Sequence, residues 1–441
     1  LSPGSAYPVS DFISMSGRSA AIGSNFSDGG LTILEKKEKG GDAGQGMVAF
    51  VSTSYNTGYQ HGDIKGAFLS DTSTTNAVGT ELITNGTFGS DVSGWTTGTS
   101  TIKVTARSNY VSVYFDPDGS DPIAEPILAT ATGTYTVIYT ATQTGGKFSI
   151  NATGSSTATA TVDDISMRVA ELDRSVNNNG LAVYGTITKS AVATGAELVG
   201  YSGFSASNYL EQPYNSDFNF GTGSFSLSGW FKTNSTSGGG AYMYRGSSDG
   251  DESFRIYLDS SNYGVYFDYG GGSAYSYLTN ASDRTAIWNQ EWNQFVCHAT
   301  ASGKVKIYVN GVSKDITVVG APPSSFSSTN TNVLHFGTNY SGAVPFPGSL
   351  ALFRVSASIP SPEQIKKIYE DEKVLFQENA KATLYGSSNA VTALAFDDTT
   401  NLLHVGTSSG RSDFQGLRRI NNTTTAVTTA ISASDDLIAE Q

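Results

Sequence analysis

The chain has 441 residues with 49 glycines and 23 tyrosines, only 15% of its residues are charged, and its formal net charge is −13. The length allows about two to four domains, and the composition suits short strands joined by many turns. The acidic balance excludes nucleic acid as a partner, since phosphate binding needs a basic surface, and no apolar run of about 18 residues offers a membrane span.

Residues 1–80 read as a β-rich N-terminal attachment segment. Residues 20–33 combine small residues, a Gly-Gly break and a short strand, and resemble a fragment of a β-propeller blade. The EKKEK run at 35–39 is a solvated turn, while 47–52 and 63–69 each suit one strand. The first residue is Leu1, which reads as a processed chain or a fragment.

The composition shifts at Glu81. Asn85-Gly86-Thr87-Phe88, Gly94-Trp95, a strand at 134–139 and Val162-Asp163-Asp164-Ile165-Ser166 follow in order. This succession resembles the carbohydrate-binding modules of the galactose-binding-like jelly roll, which implies a small β-sandwich over 81–172 whose first and last strands pair.

Residues 173–378 form the larger unit. Its centre is 288–318, read as three strands. Val305, Ile307 and Val309 take one face and Lys304, Lys306 and Tyr308 the other. Asn310-Gly311 then marks a type I′ hairpin, which needs positive φ at both central residues. Residues 312–318 are the return strand. Asn208-Tyr209-Leu210, Phe225 to Phe231, Trp292-Asn293-Gln294-Phe295-Val296 and Lys306-Ile307-Tyr308-Val309-Asn310-Gly311 resemble the concanavalin A-like, laminin-G-type jelly roll. The closing strand resembles that family's too, although Leu350-Ala351-Leu352-Phe353 lacks its acidic pair. The resemblance implies two packed antiparallel sheets over about 180–370, with Trp230, Phe295, Ile307 and Val309 inward. Ser361-Pro362-Glu363-Gln364 opens a helix with a capping box and proline at its first turn. Residues 379–441 return to β structure and resemble one propeller blade, which either pairs with 1–80 or takes its missing edges from another chain. The expected fold class is all-β: a concanavalin A-like sandwich and a smaller jelly roll flanked by β-rich ends.

Chemistry is sparse. Cys297, the single cysteine, excludes an internal disulfide and reads as a small buried apolar residue, with His298 on the opposite strand face. His61, His298, His335 and His404 lie singly, without zinc-site spacing. No strand carries the acidic spelling of a glucanase, so no catalytic residue is assigned. Calcium, which takes oxygen ligands from acidic turns, is the candidate cofactor. Its candidate ligands are Asp116, Asp118, Asp121, Asp164, Asp249, Asp251 and Glu252, and the alternative is that these Asp-Gly turns are only turns. Eight tyrosines fall between 242 and 277. They suit stacking on sugar rings or simply cover an outer face. Tyr263, Tyr269 and Tyr275, beside Gly, Ser or Asn, are the candidate carbohydrate contacts.

Short strings around Asp173-Arg174-Ser175 and at 200–211 resemble structural proteins of marine phages. That likeness implies a non-enzymatic virion protein, a tail fibre, appendage or decoration subunit outside the cell. Its partners would be other virion proteins, host-surface polysaccharide and copies of itself as a trimer. A secreted or cell-surface bacterial adhesin is the alternative.

Overall fold

Strand alternation builds this molecule, and two sheets share one apolar interior. The computed structural model describes residues 29–35, 46–80, 98–107, 110–116, 124–129, 131–139, 147–153, 160–175, 177, 179–234, 239–246, 254–259, 264–269, 273–326, 332–397, 399–427, 431–434 and 437–440.

The N-terminal strands are β1 (Leu31–Glu35), β2 (Met47–Val51), β3 (Gln60–His61), β4 (Ile64–Phe68) and β5 (Ala77–Gly79). Next come β6 (Gly98–Arg107), β7 (Tyr110–Asp116), β8 (Ala124–Ala129), β9 (Gly133–Tyr139), β10 (Lys147–Thr153) and β11 (Ala160–Glu171). The large unit runs through β12 (Leu181–Ala191), β13 (Val199–Ser202), β14 (Tyr209–Gln212), β15 (Phe225–Thr233), β16 (Gly240–Gly246), β17 (Phe254–Asp259), β18 (Gly264–Asp268) and β19 (Tyr275–Leu278). Helix α1 (Ala281–Ala286) separates these from β20 (Asn293–Ala299), β21 (Val305–Val309), β22 (Val312–Ser313), β23 (Ile316–Val319), β24 (Val333–Phe336) and β25 (Gly348–Ser356). Helix α2 (Pro362–Glu372) leads to β26 (Val391–Asp397), β27 (Leu402–Thr407), β28 (Gly410–Gln415), β29 (Arg418–Asn422), β30 (Ile431–Ser434) and β31 (Leu437–Glu440).

The front sheet of the sandwich has the order β12-β14-β24-β16-β17-β18-β19-β23, all antiparallel. The back sheet has the order β12-β13-β25-β15-β20-β21-β22. Strand β12 serves both sheets and turns between them at Gly185, whose φ is 62°. A Cβ there would sit 2.0 Å from the Asn208 side-chain oxygen, so only glycine fits the corner. Phe225, Leu227, Phe295, Cys297 and Ile307 from the back sheet meet Phe254, Ile256, Leu258, Phe267 and Phe336 from the front in one buried core.

Three expectations change here. Trp230 is buried, but on the outer face of the back sheet, where it packs against Ile368, Leu375 and Ala382 rather than in the inter-sheet core. Both faces of that sheet are covered, so alternation identifies which residues share a face but not which face is inward. The return strand is two strands: β22 completes the hairpin with β21, then β23 crosses to pair with β19 in the front sheet. Residues 64–79 extend the sandwich instead of forming part of a separate segment, since β4 lies along β25 and β5 along β12.

Residues 31–56 meet residues 382–417. Leu31 and Val51 pack with Leu384, Val405 and Phe414, and Asn56 Nδ2 donates to the carbonyls of Ala382 and Leu417 at 2.9 and 3.0 Å. The intervening module shows two three-stranded sheets, β9-β6-β11 and β10-β7-β8. Strand β11 runs on from it to pair with β12 at Ala170 and Glu171. Residues 81–97, with the opening motif of that module, lie outside the described residues.

Candidate functional site: the tyrosine face of the front sheet

In β17, Phe254, Ile256 and Leu258 are buried and Arg255, Tyr257 and Asp259 only partly so. The same period of two places Tyr266 on β18 and Tyr275 and Tyr277 on β19 in partly exposed positions. Residues directly opposite in neighbouring strands share a face. Tyr257 faces Tyr266 and Arg255 faces Asp268; Tyr266 then faces Tyr277, and Asp268 faces Tyr275. One polar, aromatic surface therefore covers the apolar core.

The rings stand side by side. Tyr266 and Tyr275 stack at 4.8 Å with 26° between planes, and Tyr277 follows Tyr275 at 6.4 Å. The Arg255 guanidinium lies 5.5 Å from the Tyr266 ring centre, and its Nη2 is 3.3 Å from Asp268 Oδ2. Burial, then the Asp268 carboxylate, pushes the Tyr266 hydroxyl well above the ordinary phenol range. Burial, then Asp259, raises Tyr257 in the same sense. Both hydroxyls therefore stay protonated at neutral pH and can donate or accept hydrogen bonds.

A cleft of about 390 Å³ opens on this face, lined by Arg255, Tyr257, Asp259 and Tyr266 on one side and Asn339, Ser341, Ala343 and Val344 on the other. The loop that forms the second wall is held by its own bonds. Asn339 Oδ1 accepts from the Ala343 amide at 2.9 Å, and the Val344 carbonyl accepts from the Ala241 amide of β16 at 3.1 Å. The volume is in the range of small-ligand pockets, roughly 300–1,000 Å³.

Two other polar clusters satisfy themselves. Farther along the same sheet, Tyr184 stacks on Tyr209 at 4.5 Å with Arg168 over its ring at 4.4 Å, so both of its faces are occupied. Beside β5, β11 and β12 a second cleft of about 420 Å³ holds Lys189, Asp71, Glu171 and Tyr201. Lys189 pairs with Asp71 and, at 3.2 Å, with Glu171, whose other oxygen accepts from the Tyr201 hydroxyl at 2.8 Å. Burial pulls the Lys189 ammonium down, but Glu171 and Asp71 more than offset it and hold it above its ordinary value.

Of the expected sugar contacts, Tyr275 belongs to the tyrosine face. Tyr269 does not. It is fully buried in the inter-sheet core, its ring 5.1 Å from that of Phe267, and burial followed by Asp268 pushes its hydroxyl up to about 12. Its glycine neighbours suggest a loop-edge position from the sequence, but its ring belongs to the core. Tyr263 lies outside the described residues, as do Asp118, Asp121, Asp249, Asp251 and Glu252. Asp116 ends β7 and Asp164 falls in an irregular part of β11, between the registers at Asp163 and Ser166. Among the described residues no group of three or more His, Cys, Asp or Glu is placed to hold a metal ion. Turn-adjacent residue types do not point to Arg255, Tyr257 or Tyr266; the signal that does is Arg-x-Tyr-x-Asp alternating with Phe-x-Ile-x-Leu, a readable half-buried strand.

Residues 204–366 match the concanavalin A-like lectin/glucanases superfamily, and this part of the chain is a concanavalin A-like domain. A comparison with curated proteins finds no match. Among solved structures, domain 4 of AbnA, a GH43 extracellular arabinanase from Geobacillus stearothermophilus in complex with arabinotriose, is 15% identical with a TM-score of 0.34, over 45% of this chain and 91% of that one. The CBM40 of Ruminococcus gnavus IT-sialidase bound to alpha2,3 sialyllactose is 16% identical with a TM-score of 0.26, over 34% and 84%. The binding domain of botulinum neurotoxin DC in complex with SialylT is 12% identical with a TM-score of 0.32, over 61% and 66%. Each is a likeness of part of the chain at low identity.

Proposed function

We propose that the protein is a non-enzymatic attachment protein whose concanavalin A-like domain binds glycan in the cleft of Tyr257 and Tyr266. The observation that carries this reading is the open outer face of the front sheet: neutral phenol hydroxyls, an amide and a serine surround an opening of about 390 Å³. Sugars combine apolar ring faces with many hydroxyls, and tyrosine answers both. Hydrolysis of a glycosidic bond needs two carboxylates across it. Among the described residues the lining supplies one, Asp259, which supports binding without catalysis.

The finer reading is a virion appendage, such as a tail-fibre subunit, that presents this cleft to host-surface polysaccharide. It is supported by the short strings at 173–175 and 200–211 that resemble phage structural proteins. An adhesin on a bacterial surface would use the same cleft, and antibody labelling of native particles against whole cells separates the two. The direct test is a broad glycan panel with the wild type and Tyr257→Ala. Wild type is expected to bind at least one glycan, and the variant about tenfold or more weakly, as for a truncated interface aromatic. Absence of wild-type binding across the panel removes the reading.

A further inference from the structure

We infer that this cleft takes an uncharged saccharide and rejects sugars that carry a carboxylate. The inference rests on the glycan reading above and concerns the class of ligand. A carboxylate is held most strongly by a cation, and among the described residues Arg255 is the basic residue of the lining. Arg255 is already committed: Asp268 lies 3.3 Å from its Nη2, and its guanidinium lies against the Tyr266 ring. Asp268 has no solvent exposure. A ligand carboxylate that drew Arg255 away would leave a buried acid uncompensated, which is strongly unfavourable.

The surroundings add the same sign. Asp259 lines the opening, and the Tyr257 and Tyr266 hydroxyls remain neutral. Strands β16 to β19 contain two arginines, Arg245 and Arg255, and two acids, Asp259 and Asp268. The second arginine, Arg245, is fully buried and donates to the Phe218 carbonyl at 2.6 Å and to Asn219 Oδ1 at 2.8 Å. With Arg255 engaged by Asp268, an approaching carboxylate meets the like charge of Asp259 at the opening.

Matched pairs of ligands test this with the full chain: lactose against 3′-sialyllactose, and neutral galactan oligomers against oligogalacturonate of equal length. In each pair that binds, the neutral member is expected to bind about tenfold or more tightly, with little dependence on added salt. Asp268→Asn should release Arg255 and narrow that ratio severalfold. Because a buried substitution can unfold the sheet, Asp259→Asn at the half-exposed rim is the companion variant, expected to narrow the ratio in the same direction while circular dichroism stays native. A carboxylated member that matches or exceeds its neutral partner in the wild type overturns the inference and leaves the glycan reading intact. The same comparison is made for every neutral and carboxylated pair in the broad panel, and failure of all of them, with no binding elsewhere in the panel, overturns the glycan reading and this inference with it.

Discussion

The two sheets of the sandwich share a core but treat their outer faces differently. In the back sheet, β20 is buried at every position, because α2 and the 375–382 stretch cover its outer side. In the front sheet, β17 alternates strictly between buried and half-buried, because its outer side is open. A doubly covered sheet gains rigidity and gives up any surface for a ligand. An open one keeps a surface whose side chains need only be compatible with the fold. Function is therefore sought on the face that stability does not require.

Breaking the covered face should have the largest effect. Glu372, fully buried, accepts from Arg354 Nη1 and Nη2 at 2.5 and 3.0 Å and from Trp230 Nε1 at 2.6 Å. The Tyr59 amide completes the set at 2.9 Å, and Gly58 makes room, since a Cβ there would fall 2.3 Å from Arg354. Glu372→Ala leaves a buried guanidinium and an indole N–H without their acceptor, so a loss of about 3–5 kcal/mol is expected by denaturant unfolding. A loss under about 1 kcal/mol would show that α2 is not a structural part of the back sheet.

The second effect is on pH dependence, and it too belongs to the covered face. His298 is buried on β20 opposite Lys306. Burial, then the Lys306 charge, holds its imidazole down at about 4, below the ordinary 6.5. The unfolded chain takes up a proton near pH 6.5 that the folded chain refuses until about pH 4. The contribution is complete above pH 6.5, is lost as pH falls from 6.5 toward 4, and levels off below. Its size is on the order of 3 kcal/mol, at about 1.4 kcal/mol per pH unit. His298→Gln should flatten that slope, and an unchanged slope would assign acid sensitivity to other groups.

How far the sequence discloses this contrast depends on what each signal encodes. Asn310-Gly311 forms its hairpin, with φ of 52° and 75°, because the turn's requirement is local. Ser361 and Gln364 form the reciprocal capping box, at 2.9 and 3.3 Å, for the same reason. Trp230 illustrates the limit: its strand position is legible, but its partners, Tyr369 and Phe376, lie about 140 residues away. Tyr269 illustrates another, since a glycine-rich neighbourhood indicates a turn and not the direction in which its last side chain points. The site was partly legible in Tyr275. The rest required knowing that β17, β18 and β19 are neighbours in register, which is a property of the sheet and not of any one strand.

A smaller effect sharpens the comparison at the cover itself. Ser361 Oγ accepts from the Gln364 amide at the start of α2. Ser361→Ala should cost about 1 kcal/mol, the usual loss for a helix N-cap. Ile365 and Ile368 hold the helix on the back sheet by packing, so glycan binding on the opposite side should be unchanged. A binding loss in this variant would mean that the two outer faces are coupled through the core.

The smallest stability effect is expected on the open face. Tyr275 sits on β19 opposite Val319, half-exposed, with its ring against Tyr266. Tyr275→Ala removes the stack on Tyr266 and the looser contact with Tyr277, each aromatic pair being worth at most about 0.5–1.5 kcal/mol, and opens no cavity, because solvent already reaches the ring. Its loss should fall at the lower end of that range and far below that of Glu372→Ala. The effect on glycan affinity should be the larger of its two consequences, since Tyr275 holds the ring of Tyr266 that lines the cleft. Denaturant unfolding and glycan titration on the same preparation compare them directly. A variant that loses several kcal/mol of stability and keeps its affinity would reverse the assignment, making the tyrosine face a structural element and leaving the sandwich without an open functional side.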